Sequence, residues 1–252
     1  MSRKAPPPRR LALGPLDQRL WRVVENQEQA ATRALTTSAE EQARLEALLE
    51  DQKPPWLPGS EPLHWLLKTP FRYPPLRHGS RFGGPGEPGI LYGSERAETA
   101  MTEAATYLWL FRAGPTSTGP LGVLKGTRTL LRFACHTDRG ADLCGPAWRA
   151  QQPRIRDPGS WTFTQPLGAT LREAGAEAIR YPSARDPDGV NGAVLAPAAV
   201  TGSHAPQQAH WQFRLDDERC WWGRGREERF ELSKTDLEND TGTIPHPALG
   251  AR

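Results

Sequence analysis

Between Phe71 and Tyr107 the chain reads FRYPPLRHGSRFGGPGEPGILYGSERAETAMTEAATY, and its punctuation limits the fold more than any other stretch does. Pro74 and Pro75 lack an N–H and push their predecessors into extended geometry, so no helix can run through them. Phe82-Gly83-Gly84-Pro85-Gly86 is a loop whose backbone can come close to a ligand. Gly89-Ile90-Leu91-Tyr92 has the composition of a short apolar strand. Ser94 is a suitable N-cap, and Glu95–Phe111 carries helical spacing, with Ala97, Met101, Ala104, Ala105 and Leu108 on one face and Glu103 beside it. The expectation is an arginine-led strand, a glycine loop, a strand ending at Tyr92 and a helix bearing Glu103.

The flanking chain divides around this stretch. Met1–Leu16 is rich in proline and arginine and reads as a tail. From Asp17, Leu20, Val23, Val24, Gln27, Ala30, Ala31, Ala34 and Leu35 recur at three- and four-residue steps, which predicts a helix. Ser38-x-x-Glu41 is a capping box for a second helix with Leu45, Leu48 and Leu49 on one face, ended by Lys53-Pro54-Pro55. Residues 1–57 are therefore expected to form a tail and a helical appendage, 58–234 the main domain, and 235–252 a polar C-terminal tail. Within the main domain Arg128–Ala134 is β-like. Leu167–Ala174 reads as a helix, with Pro166 in its first turn and Gly175 as its stop. Ala178–Tyr181 and Ala193–Leu195 read as strands. Trp211, Phe213 and Leu215 alternate with polar residues as a half-buried strand does, and Arg229–Leu232 follows as the last. Helices scattered irregularly among short strands indicate an α+β fold.

Composition excludes some classes. Hydrophobic residues at 37%, nine Trp and seven Phe support a core, although mean hydropathy is −0.64. Glycine and proline together make about a fifth of the chain, below the roughly 25–30% at which disorder prevails. A net charge of +3 permits an anionic ligand without requiring one. Cys135, Cys144 and Cys220 have no metal-ligand spacing and read as free thiols of a reducing compartment. No apolar run approaches the ~20 residues of a membrane span, and no long apolar segment follows the basic N-terminus. A cytoplasmic protein is expected.

The chemistry-bearing residues each admit two accounts. Arg72 and Arg81 flank the glycine loop, where they could clamp a pyrophosphate or simply lie on the surface. Tyr92 could stack on a heterocycle or fill the core. A carboxylate beside an apolar face needs a partner, so Glu103 is either half of a salt bridge or a catalytic group facing positive charge that develops at a ribose carbon. Ser183 has no nucleophile elbow around it and reads as a binding or orienting hydroxyl. Asn191 can reach the same loop mouth. The six histidines form no metal motif. Trp211, Trp221 and Trp222 fit a core better than a base-stacking surface, although a basic pI leaves a nucleic-acid module as one alternative.

Phe71-Arg72-Tyr73, Gly79-Ser80-Arg81-Phe82, Leu91-Tyr92-Gly93-Ser94, Glu98–Glu103 and Tyr181-Pro182-Ser183 through Asn191 resemble, in order and spacing, the RES-domain family. The resemblance covers roughly Trp65–Leu232. It implies a split-sheet core like that of ADP-ribosyltransferase toxins and NAD as substrate, cut at the nicotinamide–ribose bond. It further implies ADP-ribose passed to inorganic phosphate or to a protein, and an Xre-type antitoxin as partner. By the same resemblance Glu103, Arg72 and Tyr92 would be catalytic. Tyr73, Arg81, Ser183 and Asn191 would bind substrate, and no metal would take part. Nucleic acid would be met only through the antitoxin, no membrane is involved, and a homo-oligomer stays open. A protein ADP-ribosyltransferase and a non-catalytic nucleotide-binding module are the alternatives. Phe82 is followed by Gly83, whereas the family often has Trp/Phe-Asn there.

Overall fold

The computed structural model describes residues 11–25, 35–75, 77–113, 122–202 and 207–249. Among them the fold is a mixed α/β sheet structure, consistent with the α+β expectation. Its strands are β1 (Gly14–Glu25), β2 (Leu91–Ser94), β3 (Leu124–Asp142), β4 (Ala178–Pro182), β5 (Val190–Val194), β6 (Val200–Thr201), β7 (Gln207–Leu215), β8 (Arg219–Arg224) and β9 (Glu228–Ser233). The helices are α1 (Ala39–Asp51), α2 (Trp65–Arg72), α3 (Ala97–Ala113), α4 (Gln152–Ile155) and α5 (Thr164–Glu173).

β3 organises the sheet. It pairs antiparallel with β1 along one side, from Gly14↔Gly140 to Glu25↔Arg128. On the other side it pairs with β7, Leu124↔Leu215 to Arg132↔Gln207, and parallel with β4 at Gly140–Asp142. The pairings β1–β2, β2–β5, β5–β4, β4–β3 and β3–β1 close a ring, and β7, β8 and β9 extend from it. A parallel partner needs a long crossover, and the segment carrying α4 and α5 supplies it between β3 and β4.

The predicted helix from Asp17 is instead β1. Burial there follows a period of two, with Leu16, Gln18 and Leu20 inside and Asp17 and Arg19 outside. The spacing of Leu20, Val23 and Val24 suits either period over so short a run, and pairing with β3 decides it. Gln27, Ala30, Ala31 and Ala34 lie outside the described residues. Among the described residues the expected helical appendage comprises α1, which begins as read: Ser38 Oγ accepts from Glu41 N at 3.1 Å, while Glu41 takes Thr37 N at 2.9 Å. α1 buries none of its residues.

Other boundaries moved. Phe71-Arg72 closes α2 rather than opening a strand, and Tyr73 is its extended C-cap, as the following prolines demand. Ser94 belongs to β2 and does not cap α3, which starts at Ala97. Trp221 and Trp222 lie on a strand of their own, β8, whose alternating exposed and buried positions end at Gly223. The C-terminal segment is not a tail: Leu237 and Ile244 are both 6% exposed and join the core of Met101, Trp109, Phe213 and Trp222. Gly175 stops α5 with φ of 80°, as its type implies.

α5 lies directly on the glycine loop. A Cβ at Gly168 would collide with the Phe82 carbonyl oxygen. In an exposed helix Gly→Ala is a gain of about 1 kcal/mol; here the collision reverses the sign. Gly168→Ala should destabilise the protein by about 2 kcal/mol through overpacking, measured as a lower urea midpoint with an unchanged m-value. An unchanged or raised midpoint would show that the loop yields freely.

Candidate active site

α3, β2, β5 and the loop after β4 meet at one carboxylate. Glu103 Oε1 accepts from Ser183 Oγ at 2.9 Å and from Asn191 Nδ2 at 2.7 Å. Asn191 is itself fixed, because its Oδ1 accepts from Ser94 Oγ at 2.7 Å. Ser183 is 1% exposed, and its Oγ also takes the N–H groups of Arg185 and Asp186. One carboxylate oxygen is thereby anchored, and no hydrogen bond to Oε2 is present among the described residues. Glu103, Asn191 and Ser94 line a cavity of about 310 Å³ together with Arg22, Arg81, Arg185, Tyr92, Tyr107, Trp161 and His246. Ser183 supports the carboxylate from behind and is not part of the lining.

A second cavity of about 330 Å³ adjoins the first and shares Arg22, Ser80, Tyr92, Tyr107, Trp161 and His246 with it. Apart from His78, its remaining walls are largely apolar or backbone: Pro70, Tyr73, Pro75, Gly79, Gly89, Ile90 and Ala248. The cleft therefore has a charged compartment, an apolar one and a waist between them. Both volumes suit a small-molecule ligand. Glu103 is the only carboxylate among the described lining residues, against three arginines.

The arginines are held by carbonyls, which leaves their charge unneutralised. Arg22 Nη1 donates to the Tyr92 carbonyl at 2.9 Å. Arg81 Nη1 donates to the carbonyls of Ile155 and Asp157. Arg185 Nη2 donates to those of Pro158 and Pro245. Burial lowers the pKa of Arg22 and of Arg185, and Glu103 partly opposes this at Arg185; a guanidinium nonetheless keeps its proton. The Tyr92 hydroxyl accepts from Phe82 N at 3.1 Å and bonds Ser80 Oγ at 2.9 Å. Burial pushes its pKa to about 12, so it stays neutral and pins the loop. Gln165 Nε2 holds the same loop from α5 through the carbonyls of His78 and Ser80.

Of the residues singled out from sequence, the fold brings together Glu103, Tyr92, Arg81 and Asn191, with Ser183 behind them and Tyr73 in the apolar compartment. Arg72 stands apart. Its Nη1 donates to Glu50 Oε1 at 2.6 Å, its Nε to the Pro54 carbonyl, and its guanidinium lies 4.2 Å over the Trp56 ring. It ties α2 to α1 and lines neither compartment. Arg22 occupies the waist instead. An arginine embedded in Leu-Trp-Arg-Val-Val would have stood out had β1 been read as a strand. Arg185 was inside a recognised motif without a role. Trp161 and His246 gave no signal, being brought in by the crossover and by the C-terminal segment. Among the described residues there is no His, Cys, Asp and Glu cluster with metal-binding geometry. No described helix is long and apolar enough to cross a membrane.

Fold and site together define an α+β protein with an arginine-rich cleft built around one anchored carboxylate. The RES domain family model matches residues 54–216, and the chain belongs to that family. Arg22 and His246 lie outside the matched residues. No curated protein matches the sequence. Among solved structures, one similar to it is described as the crystal structure of the M. tuberculosis MbcT–MbcA toxin–antitoxin complex. The identity is 16%, with a TM-score of 0.43, over 81% of this chain and 87% of that one.

His246 gives the site a pH signature. Burial first, then Arg185, Arg81 and His78, lower its pKa from 6.5 to about 4. The unfolded chain therefore takes up this proton before the folded one on acidification. Stability that is complete above about pH 6.5 should be lost as the pH falls towards 4. His246→Phe should remove that component, so that its urea midpoint falls less steeply than that of the wild type over this interval. Parallel pH profiles would show that His246 is not buried as a neutral ring.

Proposed function

We propose that this chain cleaves the nicotinamide–ribose bond of NAD and passes ADP-ribose to inorganic phosphate. The observation that carries the reading is the anchored Glu103: one oxygen is fixed by Ser183 and Asn191, and the other is left for substrate in a cavity whose other charged side chains are arginines. In this reading Glu103 Oε2 accepts a ribose hydroxyl and faces the positive charge that grows at C1′ as the bond lengthens. The C1′–N bond breaks with its electron pair going to the pyridinium nitrogen, which leaves neutral nicotinamide. A phosphate oxygen then forms the new C1′–O bond. Arg22, Arg81 and Arg185 offset the charge of the diphosphate and the incoming phosphate, and their donor forks suit phosphate oxygens. Tyr92, neutral and pinned, presents its ring to the nicotinamide.

A protein acceptor is the alternative on the same fold. The C-terminal segment favours a small acceptor, because His246 and Ala248 wall the cleft and Pro245 is tied to Arg185. Family membership also supports a role as the toxin of a toxin–antitoxin pair with an Xre-type antitoxin as its partner, the kind of assembly named for the M. tuberculosis structure.

The test is NAD consumption by the purified chain with and without phosphate, products resolved by mass. Phosphate-dependent loss yielding nicotinamide and ADP-ribose-1″-phosphate is expected. Glu103→Gln should lower kcat by roughly 10²–10³-fold, the range for removal of one transition-state contact. Arg22→Ala should lower kcat/KM by about the same factor, whereas Arg72→Ala should lower thermal stability and leave kcat within about twofold. Full turnover by folded Glu103→Gln would sink the assignment, and an Arg72→Ala enzyme as impaired as Arg22→Ala would reverse the two arginines' roles.

A further inference from the structure

Three residues at the waist of the cleft each carry a buried N–H that meets no acceptor among the described residues: Arg22 Nε, Trp161 Nε1 and His246 Nε2. All three residues line both compartments. They arrive from three separate parts of the chain: β1, the loop before α5 and the C-terminal segment. Buried donors nearly always find a partner. Trp211 also keeps an unpaired indole N–H, but it does not line the cleft.

The geometry settles which nitrogen of His246 is the donor. Ala248 N donates to its Nδ1 at 3.2 Å, so the neutral ring carries its proton on Nε2. The ring is held in place. It meets Trp161 edge to face at 5.2 Å and 82°, and Tyr107 at 5.5 Å and 76°. The preceding Pro245 carbonyl accepts from Arg185 at 2.7 Å, and Ile244 is anchored in the core. A phosphate oxygen only accepts hydrogen bonds, which matches a set of donors one of which is charged.

We infer that Trp161 and His246 contact phosphate and that, with Arg22, they form a donor cradle at the waist for the oxygens of the bound dinucleotide's diphosphate. This rests on the NAD reading above and places the diphosphate between the compartments, with the reacting ribose on the Glu103 side. It also makes the C-terminal segment a wall of the binding site.

The test is calorimetric titration of the full chain, and of Trp161→Phe and His246→Phe, with ADP-ribose and with adenosine in phosphate-free buffer. Each variant should bind ADP-ribose about tenfold more weakly and adenosine unchanged, as expected for loss of one hydrogen bond to a charged group. Intact ADP-ribose binding with a raised KM for inorganic phosphate during turnover would assign the cradle to the acceptor phosphate, the same chemistry from the other source. Equal losses for adenosine and ADP-ribose, or no loss in either assay, would overturn the cradle. A wild-type chain that binds neither NAD nor ADP-ribose would instead overturn the NAD reading itself. Should a variant not fold, the Trp161 indole N–H resonance of the wild type decides. It should move with ADP-ribose and stay with adenosine; a resonance unmoved at saturating ADP-ribose would refute the contact.

Discussion

A carboxylate set beside an apolar helix face has to be held, and how it is held decides what it can do. A salt bridge would have stabilised Glu103 and neutralised it as well. Two neutral donors, Ser183 Oγ and Asn191 Nδ2, satisfy one oxygen and leave the negative charge in place. This clamp requires three elements to meet within hydrogen-bond range: α3 carries the carboxylate, β5 the amide, and the loop after β4 the hydroxyl. β4 and β5 are paired so that Tyr181 faces Asn191, which fixes where the loop between them begins and ends. Ser94, at the end of β2 opposite Asn191, completes the register. The local sheet pairing is therefore also the positioning device of the site.

The arginines follow the converse logic. A buried guanidinium must find acceptors, and a carboxylate partner would cancel its field. Arg22, Arg81 and Arg185 bond to backbone carbonyls, which satisfy N–H groups without adding net charge. Arg72 and Arg180 show the other solution. Arg72 is paired with Glu50, and Arg180 binds Glu95 through two nitrogens at 2.7 and 3.2 Å. The same residue type thus acts as a structural tie where it meets a carboxylate and as a source of positive potential where it meets carbonyls. That distinction separates Arg22 from Arg72 more firmly than their neighbours in sequence do.

Much of the site could be read from sequence where short-range rules govern. Tyr92 on a short apolar strand, Glu103 beside an apolar helix face, and Ser183 and Asn191 around one turn were all visible, because capping, turn chemistry and helical spacing act over a few residues. What failed was long-range. Leu20, Val23 and Val24 fit a helical step as well as a strand, and only the partner strand more than a hundred residues away selects the second. That single error hid Arg22, since its place on the inward phase with Leu16, Gln18 and Leu20 appears only at a period of two. Arg72 looked like a ligand-binding residue by its position before the glycine loop, yet the helix it ends turns it towards α1. The C-terminal segment is polar and holds two prolines, and the two apolar side chains that anchor it are too few to register as a pattern.

The position of Arg22 and His246 has a further consequence for how the site is bounded. Both lie outside residues 54–216, so the matched region does not by itself enclose the cleft. β1 enters through its pairing with β3, whose other side carries β7, so the strand bearing Arg22 is braced by the most extended ladder in the fold. The C-terminal segment has no such ladder. It is held by Leu237 and Ile244 in the core, by the Arg185–Pro245 hydrogen bond and by the ring contacts of His246 with Trp161 and Tyr107. Arg185 links the two functions, because the guanidinium that holds Pro245 also lines the cavity. A guanidinium carries five N–H donors, so Arg185 can keep Pro245 in place through Nη2 and still offer others to a phosphate.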